Sequence, residues 1–81
     1  TVLTPFAGQL LRQHRTRLGL TQIETGRRMP GDRNPKYWAQ EISKYERDLK
    51  TPLLYTAEKL AHVLGVLIDD LVEREASNGR R

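Results

Sequence analysis

Apolar residues in this chain recur at three- and four-residue steps, the spacing of one face of an α-helix, and nowhere alternate at period two over a useful length. Phe6, Leu10, Leu11, His14 and Leu18 form the first such stripe. Thr4 before Pro5 is a capping residue followed by proline at the first helical position, and Gly19 suits a left-handed C-terminal residue, which predicts helix 1 over residues 5–18. The cap-then-proline signal recurs at Asn34-Pro35 and Thr51-Pro52. Thr21-Gln22-Ile23-Glu24 marks another start by a capping box: Thr21 accepts from the amide three residues on, and Glu24 reaches back. Pro30 and Gly31 stop the helix begun there, so helix 2 is expected over 22–29 with Ile23 and Met29 inward, weakened by Gly26. Helix 3 is expected over 35–47 with Tyr37, Ile42 and Tyr45 toward the core, and Asp48 at the turn that follows. Helix 4 is expected over 52–64, with Leu54, Ala57, Leu60, Ala61 and Leu64 as its stripe and Gly65 as its stop. A short fifth helix from Leu67 to about Glu75 would bury Ile68, Leu71 and Val72. The prediction is an all-α domain over residues 1–76, five helices around one core, followed by a flexible basic tail over 77–81.

Length and composition narrow what such a domain can do. With 81 residues there is room for one domain, which buries only about 60% of its unfolded surface and has little interior for a deep catalytic pocket. The absence of cysteine excludes disulfides, thiolate chemistry and cysteine zinc sites. His14 and His62 are the only histidines, and neither has a second ligand at metal spacing. There is no glycine-rich phosphate loop, and Asp69-Asp70 reads as favourable charge in the first turn of the last helix. No enzyme activity, cofactor or metal is therefore expected. No run approaches the ~20 apolar residues of a membrane span and no signal segment opens the chain, so a cytoplasmic protein is expected. The net charge of +4 is unevenly placed: residues 1–52 hold ten Lys or Arg against five acids, whereas residues 53–81 hold four against five. A basic half of this kind fits a polyanion-binding face, and fits a merely solvated surface as well.

Helix 2, its turn and helix 3 would cross steeply, with the outer face of helix 3 presented to solvent. If Ile42 and Tyr45 point inward, the opposite stripe holds Ala39, Gln40, Ser43, Lys44 and Arg47. Side chains of these types reach base edges in a major groove, Gln40 suiting adenine and Lys44 suiting guanine O6 or N7. They are also the residues of an ordinary hydrated helix face.

A wider pattern contains that stripe: Leu11 to Arg15, then Gly19-Leu20-Thr21-Gln22, then Ile42-Ser43-Lys44-Tyr45-Glu46-Arg47, then Pro52, then Leu60-Ala61-His62-Val63-Leu64-Gly65-Val66. In this order and spacing, from Leu11 to Leu71 and so over about three quarters of the chain, it resembles the Cro/CI-type (XRE family) helix-turn-helix domain. The resemblance implies a lambda-repressor-like bundle with helix 3 in the major groove of double-stranded DNA, and a role as a transcriptional regulator of the repressor kind, at work on the bacterial nucleoid. It implies that Gln22, with the amides at its helix start, holds a DNA phosphate. It further implies that Ala39, Gln40, Ser43 and Lys44 face bases, that Arg47 and Lys50 contact the backbone, and that Arg15 and Glu46 form a structural ion pair between helices 1 and 3.

The chain also departs from the family. Thr25 and Gly26 stand where Leu and Ala are usual, and Met29 and Ile42 lie about six residues further apart than in the family pattern. An enlarged loop, Pro30 to Lys36, is expected in consequence. Arg33 and Lys36 would lie on it, either touching a neighbouring phosphate or riding on a passive spacer. Trp38 is expected to pack over that loop. A homodimer on a palindromic operator is expected, and in the protein-interaction use of the fold Leu67, Leu71 and Val72 would form a small apolar interface. The alternative use of the same fold is an antitoxin or another protein-interaction module. Because the chain opens on Thr1, a parent protein with a further sensor or oligomerisation domain is expected.

Overall fold

Two of the side-chain caps written in the sequence, Thr21 and Asn34, open helices. The computed structural model describes residues 5–73. Helix α2 (Gln22–Arg27) opens on the capping box: Thr21 Oγ1 accepts from the Glu24 amide at 3.1 Å, and Glu24 Oε1 accepts from the Thr21 amide at 2.8 Å. The bond from the Thr21 amide is the chief cause that holds the Glu24 carboxyl below its ordinary pKa. Helix α3 (Pro35–Glu46) opens on Asn34, whose Oδ1 accepts from the Tyr37 amide at 2.8 Å.

The other two prolines are used differently, and the expected starts at Pro5 and Pro52 are corrected. Helix α1 (Gly8–Arg17) begins later because the residues before it pair with the far end of the chain. Phe6 forms an antiparallel bridge with Val72, the Ala7 amide donates to Leu71 O, and the Glu73 amide donates to Pro5 O, both at 3.0 Å. Helix α4 (Leu54–Leu64) begins after Pro52, which is fully buried and packs where it was expected to open a helical turn. Two ends also move inward. α2 stops at Arg27, since the Arg28 and Met29 amides turn back to Thr25 O and Gly26 O in three-residue steps. α3 stops at Glu46, and Asp48 then reverses the chain at φ 56°.

Five helices are not found among the described residues, which form four α-helices and one 3₁₀ turn, Ile68–Leu71. Asp70 Oδ2 closes that turn by accepting from the Leu67 amide at 2.9 Å, and Val72 is already extended, so no fifth α-helix forms up to residue 73. The remainder of the expected fifth helix and the 77–81 tail lie outside the described residues.

The all-α core is built from Leu11, Leu20, Met29, Trp38, Ile42, Tyr45, Leu60, Ala61, Leu64 and Leu71. Three expected apolar stripes are corrected in detail. Leu18 is exposed, Leu54 is 38% exposed, and Ile23 is only partly buried. The buried face of α2 consists of Thr25 and Gly26. Packing explains the glycine: a Cβ on Gly26 would stand 2.7 Å from Pro35 O and 3.0 Å from Trp38 Cβ. The helix propensity lost there, up to about 1 kcal/mol, is exchanged for close approach of α2 to α3. Trp38 thus lies in the core and does not merely cover a loop.

Candidate functional site

The packing of α2 on α3 leaves an open groove lined by Gln22, Ala39, Gln40, Ser43, Lys44 and Arg47. At about 100° per residue, Gln40, Ser43 and Lys44 of α3 and Arg47, which caps it, fall on the side of the helix away from Ile42 and Tyr45, with Ala39 at the edge of that side. All four expected base-facing residues and two of the expected phosphate contacts therefore meet in one concavity. Gln40, Lys44 and Arg47 are exposed, whereas Ala39, Ser43 and Gln22 are half-buried.

Gln22, at the α2 side of the groove, is held by a polar network. Arg15 Nε and Nη2 donate to both oxygens of Glu46, at 2.5 and 2.9 Å, while Nη1 donates to Leu20 O at 2.7 Å. The two side chains are 10% and 4% exposed. Gln22 Nε2 donates to Glu46 Oε1 at 3.1 Å. One carboxylate thus ties α1, α3 and the start of α2 together, which sets the angle at which Gln22 faces the α3 stripe.

The remaining expected contacts are scattered. Lys36 sits in the first turn of α3, not on the loop, because the connection between α2 and α3 occupies residues 28–34. Arg33 is on that connection and exposed, with its guanidinium carbon 4.6 Å from the Tyr37 ring centroid, a cation–π contact that lays the loop against α3. Lys50 lies outside the groove, beside Glu41 and Tyr37, its Nζ 2.5 Å from Glu41 Oε1.

Protein-family models, curated proteins and solved structures were compared with this chain, and none matches it. The chemistry of the site therefore stands on its own residues.

Glu41 is the buried charge that the apolar spacing does not announce. It is 6% exposed, and besides Lys50 it has Lys44 Nζ at 3.7 Å. Its hydrogen bond raises the Lys50 pKa. The Tyr45 phenol is pushed up to about 12, chiefly by burial and then by the charge of Glu41. The only signal in the sequence is a carboxylate one helical turn before Lys44, and that reads as a surface pair until the inward tilt of position 41 is known. Trp38 Nε1 is buried with no acceptor among the described residues, at a cost of about 1–3 kcal/mol.

The histidines are accounted for as structure. His14 Nε2 lies 3.2 Å from Asp70 O and its Nδ1 lies 3.0 Å from Arg17 Nη2, so both ring nitrogens are occupied, and His62 is exposed. Among the described residues no group of three or more His, Cys, Asp or Glu is placed to hold a metal, and no helix is long and apolar enough to cross a membrane. The expected apolar interface is corrected: Leu71 is fully buried and Val72 is paired with Phe6, which leaves Leu67 alone at 70% exposed. The exposed apolar residues Leu49, Leu53 and Tyr55 occur instead around the turn between α3 and α4.

Proposed function

We propose that this chain is a helix-turn-helix domain of the Cro/CI type that docks α3 in the major groove of double-stranded DNA, as a transcriptional regulator of the repressor kind. One observation carries the reading: Gln22, Ala39, Gln40, Ser43, Lys44 and Arg47 line a single groove. Their hydrogen-bonding and basic side chains, beside the start of α2, are of the types that meet base edges and phosphates. In this reading Gln40 pairs with adenine, Lys44 with guanine, and Ala39 and Ser43 pack along base edges. Gln22, Arg33, Lys36 and Arg47 lie against phosphates, and Lys50 joins them when it leaves Glu41. Two copies on a palindromic operator would set their α3 helices about 34 Å apart.

Lys44→Ala is expected to relax preference at one base pair by about 1–3 kcal/mol, and Arg47→Ala to weaken all duplexes about equally. Fluorescence anisotropy on a duplex selected from a random pool, and on its single-substitution variants, separates the two. Equal losses on every duplex for both variants would remove Lys44 as a base reader.

A second reading, a protein-interaction module such as an antitoxin, is favoured by the exposed Leu49, Leu53 and Tyr55. Salt distinguishes the two. Binding through six to ten phosphates weakens by roughly 10³ to 10⁵ between about 50 and 200 mM salt, whereas apolar association barely responds.

A further inference from the structure

Two cations of the proposed interface, Lys44 and Lys50, share one buried carboxylate. Glu41 Oε1 is 2.5 Å from Lys50 Nζ, and its Oε2 is 3.7 Å from Lys44 Nζ. Both lysine side chains are 49% exposed and long enough to swing, whereas the Glu41 side chain is 8% exposed and fixed between α3 and the chain that follows it. On the helix surface Lys44 stands one turn beyond Glu41, at the edge of the groove stripe nearest to it.

A carboxylate this deeply buried is costly to leave without a cation. When a phosphate draws Lys50 away, Lys44 is the cation within reach to replace it, and in doing so it leaves the groove. When Lys44 turns to a base, Lys50 must stay. We propose that Glu41 is a positioning residue that does not release both lysines together, so that Lys44 and Lys50 contact DNA by exchange across its carboxylate and not independently. This rests on the DNA-binding reading given above and adds to it two modes of contact. In one, Lys50 grips the backbone and Lys44 is withheld, which suits any duplex. In the other, Lys44 reads a base and Lys50 is withheld, which suits the operator.

The exchange makes an unusual demand of a backbone contact. Removing Lys50 should commit Lys44 to Glu41 and thereby abolish a base preference that Lys50 never touches. The test compares wild type, Lys50→Met, Lys44→Ala and the double variant Glu41→Gln/Lys50→Met on the selected duplex and its single-base-pair variants. Lys50→Met is expected to flatten discrimination at the Lys44 position, worth roughly tenfold, to the level of Lys44→Ala, and Glu41→Gln is expected to restore it. A DNA-free readout accompanies this: acetic anhydride should acylate Lys44 more slowly in Lys50→Met than in wild type, and at the original rate in the double variant. Lys50→Gln serves in place of Lys50→Met where thermal unfolding shows that the methionine variant does not fold.

Intact discrimination in Lys50→Met, with affinity lowered equally on all duplexes, would overturn the exchange and leave the DNA reading standing. Lost discrimination that Glu41→Gln does not rescue, or Lys44 acylation indifferent to both substitutions, would overturn the part given to Glu41. Wild type that binds every duplex alike, or none, would remove the DNA reading and this proposal with it.

Discussion

Replacing Arg15 with alanine is expected to cost about 3–5 kcal/mol of folding stability, measured by urea denaturation. A domain of this size has roughly 4–12 kcal/mol in total, so the loss takes a large fraction of its stability and should move the urea midpoint far down. Burial is what separates this pair from the exposed ion pairs of the surface, which contribute about 0–1 kcal/mol. Without Arg15, Glu46 keeps only the Gln22 amide as a side-chain partner, and Leu20 O loses its guanidinium donor. Most of the loss is therefore the penalty of a carboxylate left without its cation. It follows that Arg15→Met/Glu46→Leu should recover a large part of the stability, since apolar groups of similar volume carry no such penalty. A loss below about 1 kcal/mol in Arg15→Ala would class the pair with surface contacts and leave α1, α2 and α3 to be held by apolar packing alone.

Gly8→Ala is expected to destabilise by about 1–3 kcal/mol, against the direction that helix propensity predicts. A Cβ at this position would overlap the carbonyl oxygen of Tyr45 and stand 2.8 Å from Asp48 Oδ1 and 2.9 Å from Glu46 C. Two of these three atoms belong to backbone and cannot swing aside, so α1 has to lift off the end of α3. Lifting also breaks the 2.9 Å bond from the Gly8 amide to Asp48 Oδ1, a contact made by a non-glycine residue held at φ 56°. A midpoint of thermal unfolding equal to or above that of wild type would show that the helix end relaxes freely.

Local signals with a hydrogen-bonding mechanism were legible in the sequence. The Thr21 box, the Asn34 cap and the left-handed Gly65 at the end of α4 each name a bond or a dihedral that the chain can satisfy alone. Proline without such a bond was ambiguous. Pro5 and Pro52 carry the same local pattern as Pro35, and only tertiary contacts assign one to a terminal bridge and the other to the core. The groove stripe on α3 was legible because helical periodicity alone sets which side faces away from Ile42. Glu41 was not, because counting apolar positions assigns a carboxylate to solvent by default. Its burial depends on Lys50, nine residues on and past the turn, which no short-range rule connects to it. Lys36 was misassigned for a related reason, since the length of the loop depended on where α3 began.

The pairing of residues 5–7 with residues 71–73 makes the two ends of the described fold a clasp. Strain applied beyond Glu73 reaches Pro5 before it reaches the 3₁₀ turn, and once those few bonds part, Phe6 leaves its edge-to-face seat on Tyr45. Tyr45 in turn abuts Glu41. The bonds that join the two ends and the buried Glu41 carboxylate thus meet at one ring, Tyr45.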